Sequence, residues 1–200
     1  MTRGMKVAGA GLWALVGLAL VVVVWMQLAR ADSADPLDLT GTLGQGDYAL
    51  TTTTGEPFTA ETLKGAPSAV FFGFTHCPEV CPTTLGDVAT WQDHLAKDGL
   101  ALRVFFVTVD PERDTVDTMR DYVSVVPGVV GVSGPRDQID KAEDAFRIYA
   151  RRVPLDDGGY TMDHSASVLL FDAQGRFFEP IGFKEDYDRA LAKIRRMFAG

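Results

Sequence analysis

The apolar positions of this chain fall into blocks, and the longest block comes first. Residues Val7 to Leu28 are apolar apart from Gln27, with Arg3 and Lys6 just ahead of them. At about 1.5 Å of rise per residue, some 20 apolar residues cross a bilayer core of roughly 30 Å. The pattern predicts a single N-terminal transmembrane helix over 7–28, with a short cytoplasmic start at 1–6. A cleaved signal usually has an apolar stretch of only about 7–15 residues, which favours a retained anchor. Ala29-Arg30-Ala31 nevertheless has the small-x-small form of a cleavage site, so removal after Ala31 stays open. Either way the remainder is exported, because Arg3 and Lys6 hold the start inside while Asp32 and Asp35 face out. The expected location is the inner (cytoplasmic) membrane, single-pass, with the globular part on the periplasmic or extracytoplasmic side.

Residues 29–46 are rich in Asp, Gly, Thr and Ser and read as a linker into a domain over 47–200. Tyr48 to Thr54 and the following Gly55-Glu56-Pro57-Phe58 predict a small strand and turn. The runs Ser68 to Phe74 and Leu102 to Val109 are apolar but for Ser68, Arg103 and Thr108, as expected of strands buried on both faces. Between them Leu85, Val88, Ala89, Trp91 and Leu95 recur at helical spacing, with Pro82 suited to the first helical position and Gly99 to the stop. A second helix, capped by Asp114 or Thr115, is expected through about Val125, then a strand over Val129 to Val132 and a helix over Arg136 to Tyr149. Arg151 to Met162 is polar and Gly-rich and predicts a mobile loop. Ser167 to Asp172 and Arg176 to Gly182 flank Ala173-Gln174-Gly175 as a hairpin, and Asp186 to Phe198 forms a closing amphipathic helix. Strands alternating with helices, then a hairpin and a last helix, predict an α/β fold: a thioredoxin-like sheet with flanking helices.

Charge narrows the list of partners. The chain has 19 basic and 27 acidic residues, and residues 1–31 hold three of the basic ones and no acid. The exported part therefore sets 16 basic against 27 acidic residues, a balance of −11. That opposes nucleic-acid binding, which rests on neutralising phosphates. A hydrophobic content of 46% is ample for a core. The two cysteines, Cys77 and Cys81, lie four positions apart. Closing a loop of about five residues would give about 2 kcal/mol as a disulfide, against about 4.7 for a loop of 100, so binding or exchange suits the pair better than stapling.

The predicted fold puts both cysteines where an apolar strand enters a helix, the edge at which open α/β sheets bind ligands. Helix N-terminal amides stabilise thiolates there, and thiolate is both the metal ligand and the nucleophile. Pro78 and Pro82 stiffen the turn. Thiol–disulfide oxidoreductases of this fold generally use Cys-x-x-Cys, and a proline usually precedes the strand that faces the cysteines. Here three residues separate the cysteines, no proline lies between Pro154 and Pro180, and the facing position carries Met162-Asp163-His164-Ser165. Two thiolates and an imidazole are soft or borderline donors, which suits copper. Structural zinc wants four protein ligands; Glu79, Asp163 and Met162 are near in sequence, but none has a compelling spacing. His76 is expected to point away from Cys77, and His94 to be solvated on its helix. Asp110-Pro111-Glu112-Arg113-Asp114-Thr115 reads as a loop whose charges cap a helix and pair locally.

Phe72-Gly73-Phe74-Thr75-His76-Cys77-Pro78-Glu79-Val80-Cys81-Pro82, the Asp110 to Thr115 run and Asp163-His164-Ser165, in this order, resemble the Sco/SenC copper chaperones over about residues 45–198. That family also has a single N-terminal anchor. The resemblance implies a thioredoxin-like fold and copper, as Cu(I) or Cu(II), held by Cys77, Cys81 and His164. It implies a role in building the binuclear copper A centre of cytochrome c oxidase, with the copper-bearing oxidase subunit and other copper chaperones as partners. Glu79 stands where many members have Asp; it and Asp163 are the expected supporting residues around the ligands. Two other readings of the same residues stay open. One is a thiol–disulfide oxidoreductase using Cys77 and Cys81; the other, a peroxiredoxin-like peroxidase, expects Thr-x-x-Cys, which Thr75-His76-Cys77 misses by one residue.

Overall fold

A computed structural model of the chain describes residues 17–18, 20–22, 41–156 and 158–199. The chain divides into two units, 1–38 and 39–200. In the first, the described residues are helical. The anchor expected over 7–28 lies mostly outside the described residues, and among those described no helix is long and apolar enough to cross a membrane.

The second unit is built on two mostly apolar strands, β3 (Ser68–Gly73) and β4 (Arg103–Thr108), which pair in parallel from Ser68–Arg103 to Gly73–Thr108. All six residues of β3 are buried, because alternate side chains feed two separate cores. Ala69 and Phe71 enter one core with Phe106, Leu170 and the helices α1 (Val80–Lys97), α2 (Val116–Val123) and α4 (Tyr187–Ala199). Val70 and Phe72 enter the other with Phe105, Phe171 and α3 (Arg136–Ala145). The remaining strands are β1 (Leu50–Thr52), β2 (Pro57–Phe58), β5 (Val129–Ser133), β8 (Val168–Phe171) and β9 (Phe177–Ile181). They complete a seven-stranded sheet of order β2-β1-β5-β4-β3-β8-β9, parallel at β5-β4-β3 and antiparallel towards both edges. Helices on both faces of this mixed sheet make the thioredoxin-like arrangement.

Two expected elements differ. The helix beginning at Arg136 stops at Ala145 rather than at Tyr149. Phe146 is drawn into the aromatic core against Tyr48, Phe72 and Phe171, Arg147 turns left-handed at φ 53°, and Ile148 N–H closes the end on the Glu143 carbonyl. The mobile loop expected over Arg151 to Met162 is instead a two-stranded antiparallel sheet. β6 (Ala150–Pro154) pairs with β7 (Tyr160–His164) over five residues, Ala150 opposite His164. Both faces of this hairpin are partly exposed, so it carries none of the apolar alternation that announces a half-buried strand.

Candidate metal centre

Cys77 and Cys81 arrive on the better packed of two arms. β3 ends at Gly73, and a Cβ there would lie 2.6 Å from Cys81 Sγ and 2.5 Å from the Phe106 ring. The missing side chain is what lets the first turn of α1 sit on the strand end. Cys81 is fully buried, while Cys77, in the turn before the helix, is half-exposed at the junction of the two cores. Cys81 N–H points at Cys77 Sγ, 3.4 Å away, so the helix N-terminus supplies a donor as well as its dipole. Both thiols are free. The Cys77 thiol is lowered to about 4, chiefly because the Cys81 thiol donates to it, with His164 and backbone amides assisting against burial. Cys81 is pushed the opposite way by the same bond and by its own burial. The two shifts are opposite and have one cause, so in the metal-free protein the negative charge is favoured on Cys77 and the proton on Cys81.

His164 arrives on the second arm, as the last residue of β7. Its Nδ1 lies 2.8 Å from the Ser165 carbonyl oxygen. A carbonyl can only accept, so Nδ1 carries a proton, and Nε2 is the nitrogen that would take a metal in place of its hydrogen bond to Cys77. The ring meets the buried Phe74 edge-on at 5.7 Å between centres. At the base of the hairpin, Ser165 N–H donates to the Tyr149 carbonyl and Tyr149 N–H to Ser165 Oγ.

The donor atoms of Cys77, Cys81 and His164 all lie within 4.8 Å of one another, and no other described His, Cys, Asp or Glu side chains form such a group. Three donors around one ion at bonds of about 2.0–2.3 Å stand roughly 4 Å apart, so the set needs only a small contraction to close. A cavity of about 290 Å³ opens beside them, lined by Phe74, Pro78, Val80 and Met162 among others. Glu79 and Asp163 also face this cavity, but Glu79 pairs with Lys184 at 2.9 Å and Asp163 lies 3.8 Å from Arg151, both pairs on the exposed surface. His76 is exposed, its Nδ1 3.0 Å from Thr75 Oγ1, and it stays out of the group. His94, expected to be solvated, is half-buried edge-on to the Tyr187 ring.

The Asp110 to Thr115 run does more than cap a helix. Thr115 is the cap, accepting from Thr118 N–H. Asp114 is wholly buried and takes hydrogen bonds from Thr75 N–H at 3.0 Å, Thr75 Oγ1 at 2.6 Å and Thr108 Oγ1 at 2.7 Å. Asp110 is buried too, bonded to the Arg113 guanidinium and at 2.8 Å to the Tyr160 hydroxyl. Nothing local in the sequence signals these pairings, since Thr75 and Tyr160 are 39 and 50 positions away.

The SCO1/SenC family model matches residues 38–199. The chain belongs to this family. Among SCO1/SenC relatives, the mitochondrial protein SCO2 of Saccharomyces cerevisiae is 36% identical over 155 residues, covering 75% of this chain and 51% of its own length. The chain thus spans about half the length of that relative. A structure of Bradyrhizobium japonicum ScoI with copper bound superposes with a TM-score of 0.70 at 41% identity, covering 78% of this chain and 99% of that one. Yeast Sco1 with copper bound gives a TM-score of 0.73 at 31% identity, covering 80% of this chain and 90% of that one. The SCO1/SenC relatives are mitochondrial or bacterial.

Proposed function

We propose that this protein is a copper metallochaperone. Copper is its cargo, bound by Cys77, Cys81 and His164 and released to a partner by ligand exchange. The observation that carries this reading is the convergence of two soft sulfurs and one imidazole nitrogen, within 4.8 Å, at the open edge of the sheet. Sulfur and imidazole suit Cu(I), and imidazole with a single thiolate also suits Cu(II), so one donor set accepts either oxidation state. A three-donor site leaves room for an incoming ligand, which exchange requires. The copper bound in the Bradyrhizobium and yeast structures supports the choice of metal. Membership of the family supports the destination, the copper A centre in the copper-bearing subunit of cytochrome c oxidase. The apolar block over 7–28 supports an inner-membrane tether that keeps the domain on the extracytoplasmic side. The test is a copper titration of the full chain, its Cys77→Ser variant and its His164→Ala variant. Wild type should take up one equivalent, Cys77→Ser none, and His164→Ala one with weaker affinity. Wild-type affinity of His164→Ala for both oxidation states would remove His164 from the site.

One observation favours a second activity at the same cysteines, thiol–disulfide exchange. A half-exposed thiolate at Cys77 backed by a buried thiol at Cys81 is the asymmetry that exchange uses. Cys77 would attack a substrate disulfide and Cys81 would resolve the mixed disulfide, the two cysteines supplying both electrons. Turnover of a disulfide substrate by the copper-free protein would establish it.

A further inference from the structure

The short loop from β4 into α2 touches both arms of the centre. Through Asp114 it grips Thr75, two residues before Cys77, at both the backbone N–H and the hydroxyl. Through Asp110 and Arg113 it grips Tyr160, four residues before His164. Asp110 accepts from the Tyr160 hydroxyl at 2.8 Å, and Arg113 donates to the Tyr160 carbonyl at 3.0 Å. The Arg113 guanidinium also lies 3.7 Å from the centre of the Tyr160 ring, and Arg152 lies 3.4 Å from it. Arg113 is further placed 5.8 Å from the centre of Phe74, the ring that the His164 imidazole meets edge-on.

Two features set this apart from a loop that only closes a helix. Thr115 already caps α2, so the cap needs neither carboxylate. Burying two carboxylates is unfavourable unless their partners are well placed, so the arrangement specifies geometry rather than adding bulk stability. Along β7, Tyr160, Met162 and His164 share one face, because side chains alternate with a period of two. Four residues of strand form a stiff lever of about 13 Å between the point gripped and the ligand carried.

We propose that Asp110, Arg113, Asp114 and Tyr160 are positioning residues of the metal centre, a polar brace that fixes the gap between the cysteine arm and His164. The brace rests on the copper reading for its purpose, but its geometry can be tested with or without metal. It acts on the two arms separately: Asp114 on the turn carrying Cys77, and Tyr160 on the strand carrying His164.

The experiment compares the full chain with its Tyr160→Ala, Tyr160→Phe, Arg113→Lys and His164→Ala variants, each checked by circular dichroism for folding. Removing a residue that orients a metal ligand typically lowers affinity about 10- to 100-fold. Tyr160→Ala should lose copper affinity in that range and move the thiolate-to-Cu(II) absorption towards that of His164→Ala. Tyr160→Phe, which keeps the ring and loses only the hydroxyl bond, should fall between wild type and Tyr160→Ala. In the metal-free protein, the nuclear Overhauser contact between the Phe74 and His164 rings should weaken in Tyr160→Ala. If Tyr160→Ala fails to fold, Tyr160→Phe and Arg113→Lys decide the matter by the same two readouts. A folded Tyr160→Ala with wild-type affinity and spectrum would overturn the brace. Should wild type bind no copper at all, the copper reading fails, and a Phe74–His164 contact unchanged in Tyr160→Ala would then overturn the brace independently.

Discussion

The two arms that meet at the metal centre are held by different physics. Behind the cysteines stand β3, with every residue buried, the Phe71–Phe106 ring pair at 4.9 Å, and a glycine that admits Cys81 Sγ to the strand end. Behind the histidine stand two strands paired only with each other, with side chains at least partly exposed. Directional contacts through Tyr160, the edge-on meeting of His164 with Phe74, and Ala150 and Met162 at the rim of the second core tie them to the body. Apolar burial is large, non-directional and hard to undo locally, whereas single hydrogen bonds and ring–cation contacts contribute about 0.5–1.5 kcal/mol each. On the copper reading proposed above, the cysteine arm would set where the ion sits, and the histidine arm could be displaced at a more modest free-energy cost. A carrier that must both hold and surrender its cargo benefits from that inequality.

The contrast breaks if variants of the two arms cost the same. The largest effect should come from Phe106→Ala, a fully buried ring under the cysteines, which should cost about 3–5 kcal/mol in urea unfolding. Gly73→Ala should cost about 1–3 kcal/mol by overpacking and should also displace Cys81, so that copper stoichiometry drops with stability. Next comes pH. Between about pH 4 and the ordinary thiol range near 8.5, the folded cysteine pair holds one proton and the unfolded chain two. The metal-free protein should gain stability as pH rises across that window, and lose it as pH falls through about 4. Glu143, which burial raises to about 7, works in the other direction, so the readout is the difference between urea midpoints of wild type and Cys77→Ser. The slope should be steeper in wild type. The smallest effect belongs to the exposed hairpin. Arg152→Ala should cost under about 1 kcal/mol globally while speeding amide hydrogen exchange in β6 and β7 but not in β3.

The sequence announces the cysteine arm far better than the histidine arm, for the same physical reason. β3 and β4 are legible because a strand buried on both faces must be mostly apolar along its length, and α1 because Leu85, Val88, Trp91 and Leu95 repeat at helical spacing against the core. The hairpin β6–β7 is illegible by that test: Arg151, Arg152 and Asp163 are exposed, and the contacts that order it come from Arg113 and Asp110 in a distant loop. Apart from the family resemblance that Asp163-His164-Ser165 carries, His164 stands out in the sequence only by its place opposite the cysteines in the inferred fold. Asp114 reads from sequence as a helix cap, because a buried bond to Thr75 cannot be told from a cap by spacing alone. The periodicity carries past the end of α3 because Phe146, Ile148 and Tyr149 extend it, while the turn at Arg147 is imposed by the aromatic core.

The hairpin has one more property, which follows from where its two ends lie. Ala150 and His164 face each other at the base, whereas the connection from Pro154 to Tyr160 lies at the far tip and is closed by a bond from Leu155 N–H to the Gly159 carbonyl. Extra residues inserted at the tip would lengthen a closed loop whose entropy grows only with the logarithm of its length. The register at the base would be untouched. The tip is thus a natural grafting point, where a fluorescent label, an affinity tag or a new recognition sequence can be added about four strand residues from the imidazole without re-aiming it.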